Sequence, residues 1–320
     1  MEQETFAEFG VADEGKSAEI PAKPPKKRFK ASLREELVGT ALASIPLVGF
    51  AIFALVPLVT ALAMAFFKMK GFGFDGAKWV GFGNFATIFK DPIFWKSIPN
   101  TLIFAIGTLV SQVLALLVAY FLSREIKGRK VFRMIYFMPY VCSVVALTLM
   151  WKTIFNTNYG ILNQILGKSG ENAINWFSPN LYRSTVIFMG VWSGMGYGIL
   201  LYTAALTNVN KSCVEAAKID GANAFRVFWS VVLPSISPTS FYLLVTGVIG
   251  ALQAFAVQNL LGVSPDNQDV TIVYYMYRRM LEYSGTMGEA SASAFVLAIL
   301  ILIVTVAQFL VSKFWVKEDV

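Results

Sequence analysis

Six apolar blocks dictate what this chain can fold into. They run from about Leu37 to Phe67, Thr101 to Leu122, Ile135 to Phe155, Thr185 to Leu206, Phe241 to Leu261 and Ala290 to Val311. A helix rises about 1.5 Å per residue, so about 20 apolar residues cross the hydrocarbon core, and each block is close to or above that length. Within lipid the backbone must satisfy its own hydrogen bonds, which long uninterrupted apolar blocks do as helices. The blocks therefore predict an all-α integral membrane protein with about six transmembrane helices. Composition agrees: 56% of residues are hydrophobic and 15% charged, against about 25% charged in soluble domains.

Charge placement sets the orientation. The link between the second and third blocks carries Arg124, Lys127, Arg129, Lys130 and Arg133, which places it in the cytosol. Six crossings then put both termini in the cytosol, in agreement with the basic run before residue 36 and with Lys313 and Lys317. The stretches Lys68 to Asn100, Asn156 to Arg183 and Gly262 to Glu289 fall outside. Residues 1–36 read as a cytosolic tail of acidic residues, prolines and then lysines, with no cleavable signal peptide. Residues 37–320 form the membrane domain. The net charge of +7 lies beside the blocks rather than on one face, so it marks topology and predicts no nucleic-acid partner. The chain has no histidine, and so lacks the commonest general base and metal ligand. Cys142 and Cys213 are too few and too differently placed for a disulfide framework or a zinc site.

One polar insert, residues 207–238, interrupts the apolar pattern between the fourth and fifth blocks, on the cytosolic side. Ser212 and Glu215 have capping-box spacing, so a short helix is expected to start at Ser212. Ala216 and Ala217 give it a smooth face, and Gly221 suits the left-handed residue that ends a helix. A second helix is expected from about Asn223, with Phe225, Phe228, Trp229 and Val232 on an apolar side. Pro234 and Pro238 mark the return to the membrane. Two short helices joined at a glycine make a rigid knuckle suited to transmitting force.

The run Glu215, Ala216, Ala217, Lys218, Ile219, Asp220, Gly221, followed by Phe228, Leu233, Pro234 and Pro238, resembles the EAA loop of permease subunits of bacterial ABC importers. Val80 to Phe85, Asp91 with Pro92, Asn100 to Leu102, Phe132 with Arg133, Pro139 with Tyr140, Trp151, Gly160 to Asn163 and Trp192 resemble the carbohydrate-type permeases, relatives of the membrane subunits of the maltose transporter. The likeness covers most of residues 79–312. The Gly-Gly-Pro segment common after the fifth crossing in that family is replaced by Leu261 to Gln268, which leaves the sugar subgroup open. The resemblance implies a multi-pass protein of the bacterial inner membrane that moves sugars or oligosaccharides by alternating access and is not itself an enzyme. It implies a second homologous permease, two cytosolic ATPase subunits that bind ATP and Mg, and an extracellular solute-binding protein. It places Glu215, Ala216, Ala217, Asp220 and Gly221 at the ATPase contact.

Residues Leu166 to Ser169 invite a P-loop reading. The first glycine, which must precede Gly167 with four residues between, is replaced by Leu162, so no nucleotide or metal cofactor is expected in this chain. Polar and aromatic residues inside crossings are costly in lipid and are candidates to line a solute path. Tyr140, Trp192, Tyr197, Gln253, Phe255 and Asn259 meet that description; rings can cover a sugar face and amides can bond its hydroxyls. Gly190, Gly194, Gly196 and Gly198 permit either close helix contact or a break in the fourth crossing. The rival readings are a permease for a glycerophosphodiester, polyamine or phosphate, a membrane enzyme, or a channel. The crossing cores carry no fixed charge, which favours a neutral solute and leaves an enzyme without an acid–base pair.

Overall fold

The computed structural model describes residues 33–69, 71, 74–123, 127–262, 264–281 and 287–317. The tail assigned to residues 1–36 lies outside them up to residue 32, as does Arg124 of the basic link. Two compact units are distinguished, Met1–Val56 and Pro57–Val320. The first holds helix α1 (Leu33–Phe50), followed by a π turn over Ala51–Leu55. The helix over Leu37–Met64 is long and apolar enough to cross a membrane.

The second unit carries helix α2 (Val56–Met64) from Pro57 onward, a short antiparallel pair β1 (Phe67–Lys68) and β2 (Lys78–Trp79), and helix α3 (Gly83–Lys90). Buried Asn84 donates to the carbonyls of Ala65 and Phe67 at 2.8 and 2.9 Å, fastening α3 beneath the hairpin. Helix α4 (Pro92–Ser123) is 32 residues long and starts well before the apolar block at Thr101.

The third block departs from expectation. It is two helices, α5 (Arg129–Val141) and α6 (Val144–Ile154), bent by 101°. Pro139 sits inside α5, whose ladder continues to the Cys142 amide bonded to the Met138 carbonyl, and the backbone then turns extended at Cys142 and Ser143, with ψ of 149° and 132°. Among the described residues, five helices are therefore long and apolar enough to cross a membrane, or six if the bent pair makes one span.

The loop after α6 contains helix α7 (Ile161–Ile165). Leu166 to Ser169 follow that helix rather than a strand, the wrong context for a phosphate loop. Helix α8 (Tyr182–Thr207) is one unbroken 26-residue span. Three of its glycines, Gly194, Gly196 and Gly198, serve close contact, whereas Gly190 faces open space, and none makes a break. A methyl carbon at Gly196 would stand 2.7 Å from the Tyr136 carbonyl oxygen of α5, and one at Gly198 would stand 2.7 Å from Ala115 Cβ of α4. Small residues let the backbones approach and gain packing where lipid supplies no hydrophobic drive. Around this seam Ala115, Ala119, Leu122, Ile199 and Tyr202 form a buried cluster with Ile236 and Leu243.

The cytosolic insert follows as helices α9 (Lys211–Ile219), α10 (Ala224–Val227) and α11 (Leu233–Ser235), the last two joined by a π turn over Phe228–Val232. The fifth block holds a break. Helix α12 (Ser237–Leu252) stops, Phe255 takes φ −140° and ψ −49°, and helix α13 (Ala256–Leu261) resumes. The carbonyl of Ala254, orphaned by the break, accepts from the Thr271 hydroxyl at 2.8 Å. Thr271 precedes α14 (Ile272–Leu281), which packs on α15 (Met287–Ser312), the last span.

An ionic clasp holds this outer layer together. Asp91, just before α4, accepts from Arg279 of α14 and from the Tyr275 hydroxyl at 2.8 Å, while Arg279 also meets Glu289 of α15 at 3.3 Å. Burial alone would push the Asp91 carboxyl up. Hydrogen bonds from the Ile93 amide, Tyr275 and Arg279, with the charge of Arg279, outweigh that and hold it below the ordinary carboxylate range.

Candidate functional site

Two places concentrate polar groups against an apolar background: the cytosolic insert and a cavity within the spans. The insert is built by its caps. Helix α9 is capped by Asn210, not Ser212: the Asn210 side-chain oxygen accepts from the Ser212 amide at 3.0 Å and from the Ser212 hydroxyl at 2.7 Å. The helix thus begins at Lys211. Asn210, in extended geometry, satisfies an orphan amide that Ser212, already helical, cannot reach. The other end matches expectation. Gly221 has φ +81°, and the amides of Gly221 and Ala222 donate to the carbonyls of Lys218 and Ala217, both at 3.0 Å. This pair of bonds is a Schellman motif. Asn223 then caps α10 through the Arg226 amide at 2.8 Å.

No residue of α9 is buried. Glu215, Ala216, Asp220 and Gly221 are exposed and Ala217 is half-buried. Ile219, absent from the sequence-based set, is 87% exposed on the same helix. The second helix differs from its expected face. Val227 and Val232 are buried, whereas Phe225 and Trp229 are 72% and 54% exposed. The π turn shifts the register there, so an ordinary helical wheel misplaces the aromatic residues. Phe228 alone of the three aromatic residues turns inward, edge-on to Tyr120 of α4 with centroids 4.8 Å apart. That contact joins the insert to the inner end of a span.

The cavity holds about 420 Å³ between α4, α5, α6, α8, α12 and α13. Of the six path candidates, Tyr140, Tyr197 and Phe255 line it. Tyr140 and Tyr197 stack with centroids 5.2 Å apart, and the Tyr197 hydroxyl lies 3.4 Å from that of Tyr242. The other three stand apart from it. Trp192 packs edge-on to Trp151 at 5.2 Å, Gln253 is exposed at the break, and Asn259 sits on α13 with its backbone N–H donating to the Phe255 carbonyl.

Sequence reasoning missed Thr108, Ser111, Gln112 and Gln258, all of which line the cavity. A signal existed: Gln112 is a costly amide at the centre of the second block, where the rule applied to the fifth block would have found it. No lining residue is charged. Such a wall can hold rings and hydroxyls but offers nothing to neutralise a fixed ionic group.

The family described as "Binding-protein-dependent transport system inner membrane component" matches residues 111–314. The lactose transport system permease protein LacF of Rhizobium radiobacter is 28% identical over 82% of this chain and 89% of its own length. The sn-glycerol-3-phosphate transport system permease protein UgpA of Agrobacterium fabrum (strain C58 / ATCC 33970) is 31% identical over 81% of this chain and 88% of its own. Among solved structures, a chain of a bacterial alginate ABC transporter in complex with an alginate pentasaccharide-bound periplasmic protein superposes with a TM-score of 0.77. It is 25% identical, over 90% of this chain and 98% of that one.

Proposed function

The chain belongs to the family of binding-protein-dependent transport system inner membrane components and is an ABC importer permease of the bacterial inner membrane; on that premise we propose that it carries an uncharged sugar or oligosaccharide, driven through the exposed helix α9. The observation that carries the proposal is the combination of α9, with no buried residue yet locked by a cap at each end, with the Phe228–Tyr120 contact that ties its neighbour to α4. A rigid exposed helix with Ile219 bare is a surface made for a partner.

The partner is an ATPase subunit, one of two, with ATP and Mg held there and none in this chain. A second homologous permease completes the path, and an extracellular solute-binding protein delivers the solute, as the alginate transporter's complex with its periplasmic protein suggests by analogy. Closure of the ATPases presses on Glu215, Ala216, Ala217, Asp220 and Gly221. The push passes through Phe228 to Tyr120 and α4. The glycine seam makes α4 and α8 move together, and the cavity between them changes its open side. Tyr140, Tyr197 and Phe255 contact the solute on this path, with the amide and hydroxyl groups beside them.

The test is uptake alongside ATP hydrolysis in the assembled importer. Glu215→Lys, or Gly221→Leu at φ +81°, is expected to abolish uptake while the ATPases still hydrolyse ATP. Normal uptake in both variants would remove the coupling role. A second reading, glycerol phosphate as solute, draws on the likeness to UgpA. The uncharged cavity wall argues against it, and competition of uptake by sn-glycerol 3-phosphate decides between them.

A further inference from the structure

Two cavity-lining amides have oxygen atoms that nothing in the described structure satisfies: Oε1 of Gln112 and Oε1 of Gln258. Gln258 is 2% exposed and sits on α13, just past the break at Phe255. Gln112 lies at the meeting of α4, α8 and α12. A methyl carbon added at Gly198 would come within 2.9 Å of its Oε1, and one added at Gly247 within 3.6 Å of its Nε2. The two glycines leave a slot that this amide occupies, so its place is fixed by packing. A buried acceptor without a donor is costly and calls for an explanation. Two such acceptors on the wall of one cavity share one.

We infer that Gln112 and Gln258 are specificity-determining residues that accept hydrogen bonds from solute hydroxyls, and so select donor-rich uncharged sugars over phosphorylated solutes. This rests on the permease reading above and adds the selecting groups to it. A hydroxyl offers a hydrogen to each oxygen. An ionised phosphate offers only further acceptor oxygens, with no cation in the cavity wall to offset their charge. The tyrosine stack at 5.2 Å supplies a flat apolar face, and the two amides supply polar ends that fix which hydroxyls fit against it.

The experiment uses Gln112→Leu and Gln258→Leu in the full importer, purified with its co-expressed partners and placed in vesicles. Uptake is measured for a panel of radiolabelled uncharged sugars, beginning with lactose, and for sn-glycerol 3-phosphate. Each variant should raise the half-saturating concentration of the accumulated sugar by about tenfold, the cost of one lost hydrogen bond to a solute. Melting without any solute should be unchanged or higher, because leucine removes an unsatisfied polar atom. A merely structural amide predicts the reverse, and a melting temperature lower by more than about 3 °C in both variants overturns the proposal whatever solute is carried. Unchanged half-saturation in both variants, or wild-type accumulation of the phosphate alone, also overturns it. Glu215→Lys serves as the control: if it abolishes uptake while the leucine variants leave selectivity untouched, the permease reading stands and this inference falls.

Discussion

The α4–α8 seam gives the sharpest quantitative prediction, because two glycines on one helix face opposite environments. A methyl carbon at Gly198 would stand 2.7 Å from Ala115 Cβ and 2.9 Å from Gln112 Oε1, whereas at Gly190 nothing lies within 4 Å. Both are interior positions of α8, so Gly→Ala gains the same helix propensity at each, about 1 kcal/mol, and that gain cancels in the comparison. What remains is the clash. Ordinary carbon contacts lie at about 3.5–4.0 Å, so Gly198→Ala must push α4 and α8 apart by roughly 1 Å. Ala115 Cβ is rigid to its backbone and cannot swing away. Overpacking of this kind costs about 1–3 kcal/mol, which corresponds to roughly 2–10 °C in melting temperature for a domain of this size. Heating each purified variant in detergent and measuring the fraction still monodisperse gives the two midpoints. Gly190→Ala should melt at or above wild type and Gly198→Ala clearly below Gly190→Ala. Equal midpoints would refute the claim that glycine at 198 is there for helix contact.

The remaining predictions concern the caps and the outer clasp. Asn210→Ala should cost about 1 kcal/mol of local helix stability and speed amide exchange at Ser212, while Ser212→Ala should change little; hydrogen exchange resolved along α9 checks both, and the opposite order would restore Ser212 as the cap. Asp91→Asn should destabilise the outer layer by about 2 kcal/mol, since it leaves Arg279 partly buried with a weaker partner. Because the folded Asp91 carboxyl titrates below its unfolded value, its contribution is present above about pH 4 and is lost as pH falls through the lower, folded value. Acid melts of wild type should therefore converge on Asp91→Asn at low pH, and parallel curves would exclude the clasp as a stabilising element.

The sequence showed where the chain meets lipid, because hydrocarbon demands long apolar helices whatever else a protein does. The observed limits of α8 and α15, Tyr182–Thr207 and Met287–Ser312, lie within a few residues of their blocks. Bends were less legible. Block three reads as one crossing since its residues stay apolar through Cys142, yet two extended residues, Cys142 and Ser143, turn it by 101°. The cap of α9 slipped by two residues because Asn210 and Ser212 are both good caps, and only backbone geometry decides which one stands outside the helix. The Gly221 stop was legible because left-handed geometry strongly favours that one residue type.

Composition and spacing alone determined a multi-span helical membrane protein with a stiff cytosolic knuckle, since both follow from local rules of lipid solubility and helix termination. Only the tertiary structure decided which polar side chains share a cavity. Tyr140, Tyr197, Gln112 and Gln258 lie on four different helices, and no periodicity within one helix reports what another brings beside it. Glycine contacts at Gly196, Gly198 and Gly247 set those helices close enough to converge, and that convergence turns isolated polar residues in apolar blocks into the wall of one cavity.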